Sequence, residues 1–336
     1  MENIRYSIVV PLYNEEAVID SCHERLLRVM DQLGHPWEII YINDGSRDRT
    51  GLLARQLCAS DSRVKLLTFS RNFGHQAAIT AGMDHASGDA VIIIDADLQD
   101  PPELIPAMIE QWQAGFDVVY GHRVARKGES LGKKVSARLF YRLLHRITDV
   151  DIPVDVGDFR LIDARVCHAL SALPEHNRYV RGLISWLGFR QTYVDYVRAP
   201  RFAGTTKYPL RKMLKLAIDG ITSFSYKPLK LGIGIGITLS IFSFCFLLFV
   251  FIARLFDLFV MEPGYASLMC VILFFCGIIL IMLGIIGEYI GRIFEEVKGR
   301  PLYVICDREG SFFRQARQES SQPPENMNKP RSNSSI

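Results

Sequence analysis

In the stretch Val91–Glu103, VIIIDADLQDPPE, four apolar β-formers run straight into Asp95 and Asp97, followed by Gln99, Asp100 and two prolines. Side chains of an extended segment repeat every two residues, so Asp95, Asp97 and Gln99 are expected to project oxygens to one side. Hard oxygen ligands of this kind suit Mg²⁺ or Mn²⁺, usually shared with a substrate phosphate. A calcium loop would need Gly at its sixth and Glu at its twelfth position. Counted from Asp95 those positions hold Asp100 and Pro106, which excludes it. An Asp-x-Asp pair alone is equally a solvated turn. A buried strand feeding directly into DADLQDPPE is the more specific signal.

The elements that must position these carboxylates alternate along the first two hundred residues. YSIVVPL, WEIIYIND, VKLLTF, AVIIID and DVVYG are apolar runs without polar alternation, the first four each followed by a helical stretch, and DVGDFRLID reads as a further strand. Such runs predict a mostly parallel α/β sheet covered on both faces, with ligands beyond the carboxyl ends of its strands. Polar clusters stand at those ends: Tyr13-Asn14-Glu15, Asn43-Asp44-Gly45, Arg71-Asn72 and Asp95-Ala96-Asp97. GKKVSARLFYRLLHRI reads as a basic amphipathic helix. KYPLRKMLKLAIDGITSFSYKPLK mixes Lys and Arg with Leu, Met, Ile and Phe, as helices lying in a headgroup layer require.

The composition, 49% apolar and 22% charged, is that of an ordinary globular chain until about residue 230. Residues 231–253 and 264–287 then carry no charge, and each is long enough to cross ~30 Å of hydrocarbon. Core helices rarely stay apolar on every face for this length, so two membrane spans are expected. MENIRYSIVVPLYNEE has neither a long apolar region nor a cleavage site, which predicts a cytosolic N-terminal part. Lys207, Arg211, Lys212, Lys215, Lys227 and Lys230 precede the first span, Arg292, Lys298 and Arg300 follow the second, and the connector RLFDLFVMEP has one Arg. The asymmetry puts both termini in the cytoplasm and the connector outside. The expected organisation is a catalytic domain over 1–200, interfacial helices over 201–230, the membrane region over 231–290, and a cytoplasmic segment with a disordered tail over 291–336. Residues 307–336, rich in Pro, Ser and Asn, are expected to carry no chemistry.

A net charge of +3 gives no basis for a nucleic-acid partner; the positive charge clusters beside the membrane instead, where it suits anionic headgroups. The seven cysteines are scattered, with no CxxC pair and no metal spacing, as in a reduced cytosolic domain.

The motifs VVPLYNEE, INDGSRDRT, SRNFGHQAAITAG, DADLQDPPE, GHR, VGDFRL and GTTKY together resemble the polyisoprenyl-phosphate glycosyltransferases of glycosyltransferase family 2, over residues 5 to about 300. Bactoprenol glucosyltransferases and dolichol-phosphate mannose synthases belong to that group. The resemblance implies a GT-A catalytic domain, a nucleotide-sugar donor, a polyprenyl phosphate acceptor and the cytoplasmic face of a bacterial inner membrane. UDP-glucose is the expected donor, with N-acetylglucosamine or mannose transfer as the alternative. A homotetramer joined through the membrane parts is compatible with it.

Carried over by position, the resemblance gives Pro11, Tyr13 and Glu15 to the nucleobase and ribose, and Asp44 to the uracil ring or a ribose hydroxyl. Asp95, Asp97 and Gln99 hold the divalent ion on the donor diphosphate. Arg123 faces the acceptor phosphate, helped by a cation of the next helix such as Lys134 or Arg138. Asp158 is the carboxylate nearest the reacting oxygen, and Arg201, Lys207 and Tyr208 line the lipid side. Plainer roles exist for several. Asp44-Gly45 also fits a turn, Arg123 a surface pair with Asp117 or Glu129, and Asp158 with Arg160 pairs across a sheet edge. His75 and His122 are expected to be packing or polar-wall residues.

Two uncharged spans make a poor translocation path, which counts against a flippase subunit. Processive polysaccharide synthases carry a QxxRW motif. This chain has none; its nearest Trp, Trp186, follows RGLIS.

Overall fold

The computed structural model describes residues 5–125, 156–175, 178–197 and 264–312, and parts of 236–252. Its frame is an eight-stranded sheet in the order β7-β5-β6-β4-β1-β2-β3-β8. The strands are β1 (Tyr6–Leu12), β2 (Trp37–Asn43), β3 (Val64–Phe69), β4 (Ala90–Ile93), β5 (Val118–Ala125), β6 (Val156–Asp163), β7 (Gln191–Val197) and β8 (Ile305–Glu309). β1 runs parallel to both β2 and β4, β2 to β3, and β5 to β7. β6 is antiparallel to β4 and β5, and β8 to β3. The sheet has the expected GT-A type α/β arrangement.

Every residue of β1 and β2 is buried, because helices cover both faces, and their side chains divide by parity. Tyr6, Ile8, Val10 and Leu12 join one core with α1 (Ile19–Asp31) and α4 (Ile105–Gln113). Val9, Ile40 and Ile42 join the other, with α3 (His75–Asp84), α5 (Ala164–Ser171) and α6 (Val180–Leu187). The remaining short helix, α2 (Thr50–Ser60), packs beside β3. After β1 the chain builds outward through β2 and β3, and then returns to place β4 on β1's other side. The order reverses there, so a crevice opens beyond the carboxyl ends of β1 and β4.

At the opposite ends of the strands a buried polar cluster locks the sheet. Glu38 pairs with Lys65, accepts Ser7 Oγ at 2.5 Å and takes the backbone N–H of Ser87 at 2.7 Å. Both members of the ion pair are almost wholly buried. Removing either would strand a charge at a cost of ~3–5 kcal/mol.

The expected organisation needs a correction at its C-terminal end. Helix α7 (Tyr265–Val297) has 33 residues, about 50 Å at ~1.5 Å per residue. Within it, in Phe274–Val297, an 18-residue window has a mean hydropathy of 2.1, and none of that window is buried. Among the described residues it is the one helix long and apolar enough to cross a membrane. The expected first span lies largely outside the described residues; those described within it are helical. The chain after α7 does not begin a tail at 307. It folds back as β8 on the edge of β3, pairing Leu66 with Glu309 and Thr68 with Asp307. Tyr303 stacks on Phe69 at 5.2 Å between ring centroids and donates its hydroxyl to Asp84 at 2.9 Å. Phe312 meets the ring of His85 edge-on. The apolar seam formed by Phe69, Tyr303 and Phe312, rather than composition, decides that residues 303–312 are ordered.

Tyr303→Ala removes the ring stack and the bond to Asp84. It is expected to lower unfolding stability by about 2–3 kcal/mol and to speed amide exchange in β3. Thermal unfolding and hydrogen exchange of the purified chain check this; unchanged β3 protection would contradict it.

Candidate active site

The loops leaving β1 and β2 are tied to each other. Asn14 adopts a left-handed φ of 54°, donates its backbone N–H to Ser46 Oγ at 3.1 Å, and accepts Arg47 N–H on its side-chain oxygen at 2.8 Å. The backbone N–H of Glu15 donates to Thr50 Oγ1 at 2.8 Å. Pro11 is buried inside β1 opposite Ile42, whereas Tyr13 is exposed at the crevice rim. Of the residues expected at the base and ribose, Tyr13 and Glu15 therefore border open space and Pro11 shapes the strand beneath them.

Asp44 is turned inward and is 3% exposed. Its carboxylate accepts Asn72 Nδ2 at 2.9 Å, Phe73 N–H at 2.6 Å and Gly74 N–H at 3.0 Å. Burial raises its pKa, and the Phe73 and Gly74 amides oppose that shift. Its visible work is to hold the loop after β3 against the loop after β2. Gly45 permits the contact: at φ 66° a Cβ there would lie 2.6 Å from the Arg71 and Asn72 backbone.

That loop delivers His75, the first residue of α3, into the crevice. Its Nε2 lies 3.2 Å from Asp158 Oδ2 on β6 and 3.5 Å from Asp95 Oδ1. The other oxygen of Asp158 is gripped by the wholly buried Arg160, with Arg181 of α6 at 3.6 Å. Burial alone would push the His75 pKa down, but Asp95 and Asp158 raise it to about 9. Asp95 is pushed up to about 6, first by burial, with Asp158, Asp97 and Asp100 adding to it and His75 opposing. Burial works to raise Asp158 as well, yet His75 and Arg160 hold it well below the usual carboxylate range. Asp158 is thus an ionised, fully gripped anion and a weak base.

The premise for Asp95, Asp97 and Gln99 changes. β4 ends at Ile93, and the chain turns through 96–100 with Leu98 at φ 58°. The alternation of an extended strand does not apply here. The turn is shaped instead by Gln99 N–H donating to Asp97 Oδ1 at 3.1 Å. Among the described residues no three His, Cys, Asp or Glu side chains form a ready metal cage. The donor set nonetheless fits a divalent ion completed by substrate phosphates, which needs only one or two protein carboxylates.

Arg123 differs from its expectation too. Its Nη2 is 3.2 Å from Asp100 Oδ2, and its Nε donates to Tyr196 Oη at 3.0 Å. Tyr196 in turn hydrogen-bonds Asp100. The guanidinium lies over Gly157, where a Cβ would come within 2.9 Å of Cζ. Arg123 therefore braces the carboxylate turn from inside rather than offering an open fork to a second substrate. Its surface pairing with Asp117 is also absent: Asp117 is held by Arg165 at 2.8 Å. His122 pairs with Asp195 at 2.7 Å, in line with a polar wall. Lys134, Arg138, Arg201, Lys207 and Tyr208 lie outside the described residues.

His75 and Tyr196 are the residues in contact with the crevice carboxylates that spacing missed. Their partners Asp158 and Asp100 are 83 and 96 residues away in sequence. The one local signal was that His75 follows a strand end, as Asp44 and Asp95 do.

Residues 7–170 match the family model for glycosyl transferase family 2. The chain is 55% identical over 303 residues to the uncharacterized glycosyltransferase YkcC of Bacillus subtilis, covering 90% of this chain and 94% of that one. It is 44% identical over 305 residues to the SfII prophage-derived bactoprenol glucosyl transferase of Shigella flexneri, covering 90% and 97%. A solved glucosyl-3-phosphoglycerate synthase of Mycobacterium tuberculosis, in complex with Mn²⁺, UDP-glucose and phosphoglyceric acid, aligns with a TM-score of 0.47 at 21% identity, covering 66% and 79%. Carboxylates converging beyond the carboxyl ends of a GT-A type sheet, in a chain this close to whole glycosyltransferases, make it a member of glycosyltransferase family 2.

Proposed function

We propose that this chain transfers glucose from UDP-glucose to a polyprenyl phosphate at the cytoplasmic face of a bacterial inner membrane, with inversion and with a divalent ion. The observation that carries the reading is the route of the chain: the sheet that forms the crevice takes its edge strand β8 from beyond the exposed apolar helix α7. The crevice is thereby tethered to a bilayer, where a long polyprenyl chain must stay, since exposing it costs ~0.8 kcal/mol per CH₂. The relative named a bactoprenol glucosyl transferase supports the acceptor class and the sugar.

The same route supports two spans. β7 and β8 belong to one sheet and hence to one side of a membrane. If α7 crosses once, the chain crosses an odd number of further times between residues 198 and 263. The uncharged run 231–253 is the segment suited to it.

In the reaction an acceptor phosphate oxygen attacks the anomeric carbon and UDP departs from the opposite face. The second pKa of a phosphate monoester is ~6, so the nucleophile is already ionised near neutral pH and no strong base is required. Asp158, held ionised by Arg160 and His75, orients rather than deprotonates. Asp95 and Asp97, with Gln99 on the same turn, would hold Mg²⁺ or Mn²⁺, which when bound offsets the charge of the departing diphosphate. His75 keeps a proton between Asp95 and Asp158. Asp44 fixes the loop that carries His75, while Tyr13 and Glu15 border the nucleoside. Arg123 enters through the turn it braces. The acceptor phosphate then falls to cations outside the described residues, Lys134 or Arg138, with Arg201, Lys207 and Tyr208 toward the lipid.

Asp97→Asn should reduce transfer at least ~10²-fold, the equivalent of several kcal/mol of lost charge stabilisation, while leaving the melting temperature nearly unchanged. Chelation should do the same to the unmodified chain. Full transfer by the variant in excess chelator would contradict the metal assignment. Asp44→Ala releases the loop after β3 from the loop after β2 and should weaken UDP binding indirectly, by roughly one to two decades, the scale of one charge-assisted bond lost within the scaffold, with acceptor affinity kept. Separate titrations with UDP and a short-chain polyprenyl phosphate measure both. For topology, a cysteine introduced within 255–263 should react with an impermeant thiol reagent applied outside intact cells. The exposed native Cys306 on β8 should react only after permeabilisation. The reverse pattern would overturn the cytoplasmic crevice.

A further inference from the structure

We propose that Tyr196 is a positioning residue for the carboxylate turn, setting through Asp100 how tightly Asp95 and Asp97 hold a divalent ion. This rests on the reading of those two carboxylates as the metal ligands. The turn between Ile94 and Asp100 has no helix or strand bonds of its own, and Leu98 carries a left-handed φ of 58°. Inside it the backbone is steadied by the bond from Gln99 N–H to Asp97. Its far end is therefore fixed from outside, and Asp100 is where that happens. Asp100 is 0% exposed, and its described partners include Tyr196 Oη and Arg123 Nη2.

The proton order of this triad has one solution. A guanidinium can only donate and an ionised carboxylate can only accept, whereas a phenol does both. Tyr196 thus accepts Arg123 Nε–H and donates to Asp100. The Arg123 contacts to Asp100 are long, 3.2 and 3.3 Å, so the hydroxyl is the nearer partner. Two further contacts keep the triad rigid. The Tyr196 ring meets Phe159 edge-on at 6.2 Å between centroids, and Gly157 leaves room for the guanidinium with no side chain beneath it. Packing alone would be satisfied by phenylalanine. What the hydroxyl adds is a fixed place for Asp100, three residues from Asp97 and five from Asp95. Tyr196 touches no reacting atom, so its effect should be on metal affinity rather than on the chemical step.

The test uses the purified full-length chain, titrated with Mn²⁺ in the presence of UDP and followed by electron paramagnetic resonance. Transfer is assayed in parallel against Mn²⁺ concentration. Tyr196→Phe is expected to raise the half-saturating Mn²⁺ about tenfold in both readouts, with most of the lost rate recovered as Mn²⁺ is raised. Asp100→Asn should give a similar shift, and the double variant little more than either, because the two share one network. An unchanged Mn²⁺ midpoint in Tyr196→Phe, or a rate loss that excess Mn²⁺ does not recover, overturns the proposal. If Tyr196→Phe does not fold, Gly157→Ala displaces the Arg123 guanidinium from beneath, and the same titration must show the same shift. If the unmodified chain itself binds no Mn²⁺ and transfers in chelator, the metal reading falls and takes this proposal with it, an outcome distinct from a wild-type midpoint in the variants.

Discussion

Four carboxylates meet beyond the carboxyl ends of the central strands, and the rest of the site is arranged around the repulsion among them. Asp95, Asp97, Asp100 and Asp158 share a crevice, and burial, with the other three carboxylates adding to it, pushes Asp95 up to about 6. The fold places donors against three of them. Arg160, wholly buried in β6, takes Asp158 from below. Arg123 and Tyr196 take Asp100 from the side. His75 stands between Asp158 and Asp95. Asp95 and Asp97 are the carboxylates at which the proposed divalent ion would sit, completed by the donor's phosphates.

This distribution also divides labour that sequence alone assigns differently. Arg123 follows the apolar run DVVYG and precedes a basic segment, which predicts a substrate phosphate as its partner; in the structure it lies within β5 and its partner is Asp100. Asp44 sits at a strand end and is expected to touch substrate, but three donors from the loop after β3 claim its carboxylate. In both cases a polar residue was recognised as part of the site. Whether it faced the ligand or the scaffold depended on a partner brought near by the sheet order.

The sheet itself was legible because parallel strands buried on both faces leave uninterrupted apolar runs, as YSIVVPL and WEIIYIN do. Strand β8 was not, because ICDRE at a sheet edge alternates and carries charge like any exposed segment. It is ordered by neighbours, Phe69 against Tyr303 and His85 against Phe312, that no local pattern announces. The turn after β4 was misread in shape for a similar reason: two prolines and a left-handed Leu98 end the extended run sooner than its apolar content indicates. His75 was discounted because its partners Asp95 and Asp158 are remote in the chain. The return of the chain to the sheet after α7 ties the crevice-bearing sheet to that long apolar helix.

The most direct test is to incubate membranes containing the protein with polyprenyl phosphate, Mg²⁺ or Mn²⁺, and one radiolabelled sugar at a time: UDP-glucose, UDP-N-acetylglucosamine or GDP-mannose. The account predicts a labelled lipid phosphosugar from UDP-glucose, lost when the divalent ion is chelated. Label appearing in no lipid with any donor, or appearing in lipid undiminished by chelator, would contradict it.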